Sequence, residues 1–480
     1  MLRNPFKQFK TYFEEKTIRN WDAVVRSNKE LEAAVDILNM IERYGATALI
    51  VGGAVRDLLL GDEPHDVDIA TNMSLDGIEN LFNTHDIGKS KDFNIVAVNH
   101  KGFQFEIANF REESGTTDNR HPDEVKAVDT FDKDAARRDI TINSLGLTRD
   151  GVVIDYQNGI EDLENKIIRT VGDPQKRFVE DALRLIRALR FASKFGFKID
   201  PPTRNAIENL RDLIDNVSQE RIRDELFKIA EVGGSQLAKF IEHLDDVKML
   251  EKILPEVKAL QGMEQPKDHH PEGDAYQHTI AALNTSRSKD PITNLAILFH
   301  DIGKATSQDF KNGVPIYYGH QHESGKLVDQ VADRLKLSGD DRDAIKFVAD
   351  NHMIGYQLKD GTMKKSKILV LRNNPYWEHL KDTVYADIMS RGLPREDEYN
   401  KIVNTFDEVQ KTFGKKEAFE KKMSALVNGR MIMDLIPGIK GVEIGRIKNQ
   451  TRDWVVSKNF KVTPEEVNNY IKKAGMMNER

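Results

Sequence analysis

Two adjacent glycines and three carboxylates near the start of this sequence have the types and order that suit a nucleotide held with a metal ion. The run Val51-Gly52-Gly53-Ala54-Val55-Arg56-Asp57 follows a strand-like segment and opens a helical one. Adjacent glycines let backbone N–H groups approach a phosphate chain, the next helix offers its N-terminal dipole, and Arg56 can add a charge-assisted contact. Shortly after comes Asp66-Val67-Asp68. On a strand, side chains two apart share a face, so these carboxylates converge and repel unless a cation sits between them. Mg2+ with substrate phosphates is the usual solution, and such ions can activate an attacking hydroxyl and stabilise a leaving pyrophosphate. Glu106, on the strand-like run from Phe103 to Ala108, can complete the cluster. A Gly-Gly pair alone is only a turn, and Asp-x-Asp alone only a solvated strand end. Their spacing and the third acidic strand select the metal-nucleotide reading.

A second set of candidates carries imidazole. His300-Asp301-Ile302-Gly303-Lys304 follows an apolar helical run, with His278 before it and His320, His322, His352 and Asp387 after it. Lone histidines are usually structural or exposed, but seven such groups on successive helices suit a divalent-metal phosphohydrolase. The chain has no cysteine, so any metal, a divalent transition ion or Mg2+, must be held by His, Asp or Glu.

A third candidate is a pair. Asp181 and Arg184 fall one turn apart in a helical pattern from Glu180 to Arg190. At that spacing an Asp-Arg pair is usually a surface contact worth a few tenths of a kcal/mol. It also sets an acceptor beside a donor, which complements the amine and ring nitrogen that cytosine and adenine share. Uracil and guanine present a carbonyl where that amine would be.

The elements that must position these groups divide the chain. At 480 residues it is long for one domain, and 39% hydrophobic with 31% charged residues excludes collagen-like and wholly disordered classes. No apolar window reaches the roughly 18 to 20 residues of a membrane span, and the N-terminus lacks an apolar signal core. Residues 1–28 read as a polar helical extension; strands at Ala48 to Val51, Val67 to Ala70, Asn94 to Val98 and Phe103 to Ala108 then indicate a mixed α and β head. From Arg177 the pattern is helical throughout, with Phe178, Ala182, Leu185, Leu189 and Ala192 forming one apolar stripe. Pro and Gly breaks suggest boundaries that give an N-terminal extension (1–28), a head (29–172), a neck (173–264), a histidine-rich domain (265–395) and a tail (396–480). The net charge is −7, yet residues 421 to 480 hold 12 Lys and Arg against 6 Asp and Glu, so the tail is the basic end.

These motifs together resemble the class II tRNA nucleotidyltransferases, or CCA-adding enzymes, and their bacterial poly(A) polymerase relatives, with an appended HD phosphohydrolase domain. The resemblance runs from about residue 29 to about residue 470. Gly52, Gly53, Arg56, Asp57, Asp66 and Asp68 match the Gly-Gly-x-x-Arg-Asp and Asp-x-Asp elements. Phe105 to Arg111 resembles the third-carboxylate strand, and Asp118-Asn119-Arg120-His121-Pro122 the flexible-loop motif. Arg137-Arg138-Asp139-Ile140-Thr141-Ile142-Asn143-Ser144 is similar to the ribose-recognition element, with Ile140 and Ser144 for the commoner Phe and Ala, and Tyr156 stands where Pro is usual.

The resemblance implies a multidomain α+β fold, a nucleotidyltransferase-type mixed-sheet head followed by all-α neck, HD and tail domains. It implies catalysis at Asp66, Asp68 and Glu106 with Mg2+, and nucleotide binding that also involves Arg111, Arg137, Arg138, Asp139 and Asn143. Asp181 and Arg184 then become base readers, with Arg187 and Arg190 on the phosphate side. The Glu220-Arg221-Ile222-x-x-Glu225-Leu226 segment matches a family helix read here as structural. His278, His300, Asp301 and Asp387 become first-metal ligands, with His320 and His352 available to a second. Asn428 to Gly438 resembles the RNA-binding end. The implied activity is template-independent addition of CMP and AMP from CTP and ATP to the 3′ end of tRNA by a cytoplasmic protein. A poly(A) polymerase of the same fold, or an HD phosphohydrolase acting on RNA ends or nucleotides, remain alternatives.

Overall fold

The computed structural model describes residues 14–64, 66–85, 94–116, 119, 122–266, 270–359, 363–392, 395–414 and 416–476. Two compact units emerge. One is made of the chain up to Ile229 together with Lys239–Ile253, the other of Ala230–Ala238 and Leu254 onward. The expected head and most of the expected neck fall into the first unit, while Ala230–Ala238 and residues 254–264 of that neck fall into the second.

The first unit is built on a mixed sheet. Strands β1 (Glu14–Thr17), β2 (Ala48–Val51), β3 (Asp68–Thr71), β4 (Thr84–His85), β5 (Ile95–His100) and β6 (Phe103–Asn109) precede a separate hairpin, β7 (Arg111–Thr116) and β8 (Pro122–Ala127). Strands β9 (Gly146–Leu147) and β10 (Val152–Asp155) return to the sheet, whose order is β1-β10-β9-β2-β3-β6-β5-β4. Among the described residues of this sheet, only the β3–β6 pair is parallel. Strand β2 is buried on both faces, as its unbroken apolar run requires. Ala48 and Ile50 face the helix Lys29–Arg43, which delivers Leu31, Ile37, Leu38 and Ile41; Leu49 and Val51 pack with Phe110 and Phe131 on the other side.

Residues 14–28 depart from the expected polar helix. Strand β1 pairs antiparallel with β10, and Trp21, at the start of the helix Trp21–Ser27, is buried in the head core with its indole N–H donating to the Arg149 carbonyl at 2.6 Å. A polar edge strand has no alternation to reveal it, since its pairing depends on a partner far along the chain. Residues 1–13 lie outside the described residues.

The neck departs too. The apolar stripe is buried as expected, but its helix is interrupted: Pro174–Glu180 ends, Asp181 is extended (φ −147, ψ 107), and a new helix runs Leu183–Phe195. Nor is the chain all-α beyond Arg177. Strand β12 (Lys198–Ile199) pairs in parallel with β11 (Ile167–Ile168), and β13 (Asp309–Lys311) with β14 (Val314–Ile316) makes a hairpin in the second unit. These strands are too short to show a period of two. The second unit is otherwise helical, and no described helix is long and apolar enough to cross a membrane.

Candidate functional site

In the head, β2 ends directly at the glycine pair. Gly52 adopts φ 75 and ψ −130, a conformation L side chains rarely enter, and the helix Gly53–Leu60 starts immediately after it. Strand β3 begins at Asp68, which pairs with Val51, so the acidic strand end and the glycine turn lie side by side. Ile69 is opposite Ile107 on β6, which places Glu106 one step along, beside Asp68. Asp66 lies outside the strand. It precedes β3 in a left-handed conformation (φ 56) that Asp tolerates, so a bend, not strand alternation, brings it toward Asp68.

The electrostatics follow. Desolvation by the surrounding head raises the Asp68 carboxyl first, the Glu106 and Asp66 charges raise it further, Arg138 opposes them, and the result is about 6. That mutual repulsion is what a divalent cation would relieve. The three oxygens do not close into a tight pocket: among the described residues, the three-residue groups with all ligand atoms within 4.8 Å lie in the second unit.

The arginines expected at the nucleotide are held by carboxylates that sequence reasoning missed. Asp134 is fully buried, and its two oxygens accept from Arg137 (2.7 and 2.9 Å) and Arg138 (2.9 and 3.2 Å), while the Arg111 backbone N–H also reaches it at 3.3 Å. Burial alone would raise Asp134; the charges of Arg138 and Arg137 outweigh it and hold the carboxyl below its ordinary range. Glu113 accepts from both Arg111 (2.9 Å) and Arg137 (3.1 Å). Its β7 position and the lone Asp134 carried no motif signal beyond a charged run.

Arg56 has partners within the protein. It is buried, its Nη1 donates to Asn143 Oδ1 at 2.5 Å, its Nε donates to Asp57 at 2.8 Å, and its guanidinium lies 4.8 Å from the Phe195 ring centre. It ties the glycine helix to Asn143 and the neck, with Asp57 as its counterion.

Asp181 and Arg184 meet through the backbone, the Arg184 N–H donating to the Asp181 carbonyl at 3.0 Å, while their side chains bond to other partners. The break at Asp181 lets its oxygens accept from Nη1 and Nη2 of Arg221, at 3.0 and 2.8 Å, and cap the Leu183 N–H at 3.1 Å. Arg184 donates to Glu180 (2.8 Å) and to the Arg177 and Arg137 carbonyls. Arg187 is bound to Asp139 through Nε and Nη2 at 2.9 and 2.7 Å, and Arg190 to the buried Glu225. Arg221 and Glu225 are four apart on the helix Gln219–Ala230, so both reach the neck from one face. That segment was read as structural; its spacing was the available signal. In the flexible-loop motif only Asn119 bears on this region among the described residues: its carbonyl accepts the Ala182 N–H at 3.0 Å and its amide donates to Val179. Asp118, Arg120 and His121 lie outside the described residues.

In the second unit the histidine motifs converge. His278 projects from the helix Ala275–Thr285, His300 caps Pro291–Phe299, His320 opens His320–Leu335, His352 caps Gly339–Asn351, and Asp387 lies in Trp377–Met389. All are buried, with Asp301 at the middle. Its Oδ2 lies 3.6 Å from His278 Nε2 and 3.2 Å from His300 Nε2; its Oδ1 lies 3.2 Å from His320 Nε2 and 3.4 Å from His352 Nε2. Asp387 Oδ1 is 3.1 Å from His278 Nε2. The buried Nε2 atoms of His278 and His300 face these carboxylates without the geometry of a good hydrogen bond, which fits the donor set of a metal site. Burial pushes His352 down to about 4, leaving its ring neutral. Imidazoles and carboxylates, with one carboxylate offering an oxygen to each pair of rings, suit two divalent ions. His322 stays exposed, 3.4 Å from Asp350, and takes no part.

The motif glycine has a steric reason. A Cβ at Gly303 would lie 2.2 Å from the His320 carbonyl oxygen and 2.3 Å from the Ser324 nitrogen, so only glycine lets the Asp301 turn approach the helix bearing His320. A cavity of about 230 Å3 beside the centre is lined by Lys304, Arg391, Tyr317, Tyr318 and Tyr356. Where the helix Lys365–Arg372 meets the basic tail, a larger one of about 760 Å3 carries Lys364, Lys365, Arg446 and Lys473 around the stacked rings of Trp454 and Tyr470, 4.5 Å apart.

Comparison with known proteins bears on both halves. Residues 48–169 match the family described as the poly A polymerase head domain, and residues 196–261 one described as a probable RNA and SrmB-binding site of polymerase A. The CCA-adding enzyme of Lactobacillus helveticus is 46% identical over 216 residues, 44% of this chain and 53% of that protein. That of Bacillus pumilus is 41% identical over 227 residues, 47% of this chain and 56% of that protein. The chain thus spans about half the length of these curated relatives. The crystal structure of the Bacillus stearothermophilus CCA-adding enzyme in complex with CTP aligns over 94% of this chain and 99% of that one, with a TM-score of 0.69 at 24% identity, a likeness of fold.

Proposed function

From the match of residues 48–169 to the poly A polymerase head domain, we propose that this chain adds CMP and AMP, without a nucleic-acid template, to the 3′ end of tRNA. The observation that carries the proposal is the glycine turn at Gly52 set against Asp68, with Glu106 beside Asp68 on β6. The relatives' names supply the substrates: they are CCA-adding enzymes, and one structural neighbour was solved with CTP.

In this reading the terminal hydroxyl of the RNA attacks the α-phosphorus of CTP or ATP and pyrophosphate departs. The Gly52-Gly53 turn presents backbone N–H groups and a helix N-terminus to the triphosphate. Arg137 and Arg138, held by Asp134, set positive charge beside it, and Arg138 faces the carboxylates. Asp66, Asp68 and Glu106 would hold Mg2+, which when bound stabilises charge on the transferring phosphoryl group. Arg221 holds Asp181 in place: Oδ1 already accepts from Arg221 and from the Leu183 N–H, whereas Oδ2 accepts from Arg221 alone and keeps lone-pair capacity for the exocyclic amine of C or A. Arg184 donates to the adjacent ring nitrogen. The basic tail groove, with its stacked aromatic pair, suits the RNA body.

For the second unit we propose a metal-dependent phosphohydrolase. His278, His300, Asp301 and Asp387 would hold one divalent ion and Asp301, His320 and His352 a second, which when bound polarise a phosphoryl oxygen and acidify water. Lys304 and Arg391 would face the substrate's negative charge. The first activity is tested by incubating the protein with CTP, ATP and tRNA lacking its last three nucleotides, with products resolved by length. Extension by three nucleotides supports the proposal; long tails from ATP alone would make the chain a poly(A) polymerase instead.

A further inference from the structure

We infer that Glu272 is a positioning residue that makes the two metal positions of the second unit unequal in affinity. The inference rests on the metal-centre reading above. Each of the four inward rings needs its Nδ1 engaged so that Nε2 faces the centre. For three of them the partner is the carbonyl three residues earlier: Ile297 for His300 at 2.7 Å, Tyr317 for His320 at 2.8 Å, and Ala349 for His352 at 2.8 Å. The local reason is position. His300 and His352 are helix C-caps and His320 opens a helix, so carbonyls without a full helical complement lie within reach.

His278 sits inside its helix, where the preceding carbonyls serve the helix itself. Its Nδ1 bonds to Glu272 Oε1 at 2.6 Å, with Ser390 Oγ farther off at 3.3 Å. One ligand in four is thus backed by a full negative charge. Charge around the centre makes that difference count. Lys304 Nζ lies 2.7 Å from Asp301 Oδ2 and Arg391 lies 2.9 Å from Asp387 Oδ1, so the two carboxylates on the His278 and His300 side are offset by two cations. Glu272 supplies the net negative charge there, relayed through the His278 ring. His320 and His352 have only carbonyl dipoles behind them. The His278 position therefore fills at the lower metal concentration, and the His320 position fills second.

His270 shares the same Glu272 oxygen through Nδ1 at 2.9 Å and meets His278 edge-on, ring centres 4.9 Å apart. It secures Glu272 without facing the ion through it, and so serves as the control.

The test uses full-length protein carrying Asp66→Ala and Asp68→Ala, which silence metal binding in the head. Metal-stripped protein is titrated with Co2+, read by calorimetry and by the visible absorption of His-ligated Co2+. This background protein is expected to bind in two classes. Adding Glu272→Gln lowers the tighter affinity about 10- to 100-fold and leaves the weaker within about threefold, and Glu272→Asp, which keeps the charge, recovers part of the loss. His270→Ala leaves both classes within about threefold. A Glu272→Gln titration that superimposes on the background overturns the inference, as does a His270→Ala loss equal to that of Glu272→Gln, which would make the cluster a fold staple. If the Gln variant fails to fold, full background affinity in Glu272→Ala or a Glu272→Asp loss at the weaker class alone overturns it equally. A background protein that binds no Co2+ overturns the metal-centre reading itself.

Discussion

Replacing Asp139 by Asn should weaken the first unit by about 2 to 3 kcal/mol at neutral pH and by much less in acid. Asp139 Oδ2 accepts both Nε and Nη2 of Arg187, which joins the Arg137-Arg138-Asp139 segment to the neck helix. Burial alone would raise the Asp139 carboxyl; the Arg187 charge and hydrogen bonds, with Arg184 and the Ile140 N–H, bring it from 3.8 down to about 2. At about 1.4 kcal/mol per pH unit, that depression corresponds to about 2 to 3 kcal/mol. A stranded buried cation can cost about 3 to 5 kcal/mol, but Glu225 lies 3.8 Å from Arg187 and takes over part of the pairing, which favours the lower figure. Because the folded pKa lies below the unfolded one, the contribution is complete above about pH 5 and fades as pH falls through 4 toward 2. Urea unfolding of wild type and Asp139→Asn at pH 7, 5 and 3 measures it. Equal stability at pH 7, or a gap undiminished at pH 3, would refute the argument.

Asp181→Ala should relax rejection of UTP and GTP by about 1 to 3 kcal/mol, because it removes the acceptor that repels a base carbonyl. Arg221→Ala should relax it in the same direction, since Asp181 loses its bidentate holder; single-nucleotide incorporation with each of the four triphosphates reads both, and unchanged discrimination in Asp181→Ala removes the neck from base choice. Gly303→Ala should cost the second unit about 3 kcal/mol, since the added Cβ meets backbone atoms that cannot yield. Thermal unfolding within about 1 °C of wild type would show that the close approach is not as tight as described.

The head was legible where local pattern and tertiary role agree. The strands from Ala48, Val67, Asn94 and Phe103 were found within a residue or two because β-branched runs end at Gly, Asp or Asn turns. The histidine centre was legible from its spaced imidazoles and carboxylates; His300, His320 and His352 fall at helix starts and ends, where side chains can turn inward, while His278 and Asp387 project from within helices. What stayed hidden was partnership. Nothing local indicates that Arg56 spends its donors on Asn143, that Asp134 clamps two arginines, or that Arg221 reaches Asp181 from a helix 40 residues away. The break at Asp181 was hidden for a related reason: the apolar stripe continues across it, since Phe178, Ala182 and Leu185 are all buried whether or not one helix carries them.

The central claim is that nucleotide addition belongs to the head and metal-dependent hydrolysis to the second unit. It is tested most directly by comparing wild type, Asp68→Ala and His300→Ala on tRNA lacking its last three nucleotides, with CTP and ATP present and products resolved at single-nucleotide length. Wild type and His300→Ala should both complete three additions at similar rates, while Asp68→Ala adds none. Addition by Asp68→Ala at the wild-type rate, or its loss in a folded His300→Ala protein, would contradict the assignment.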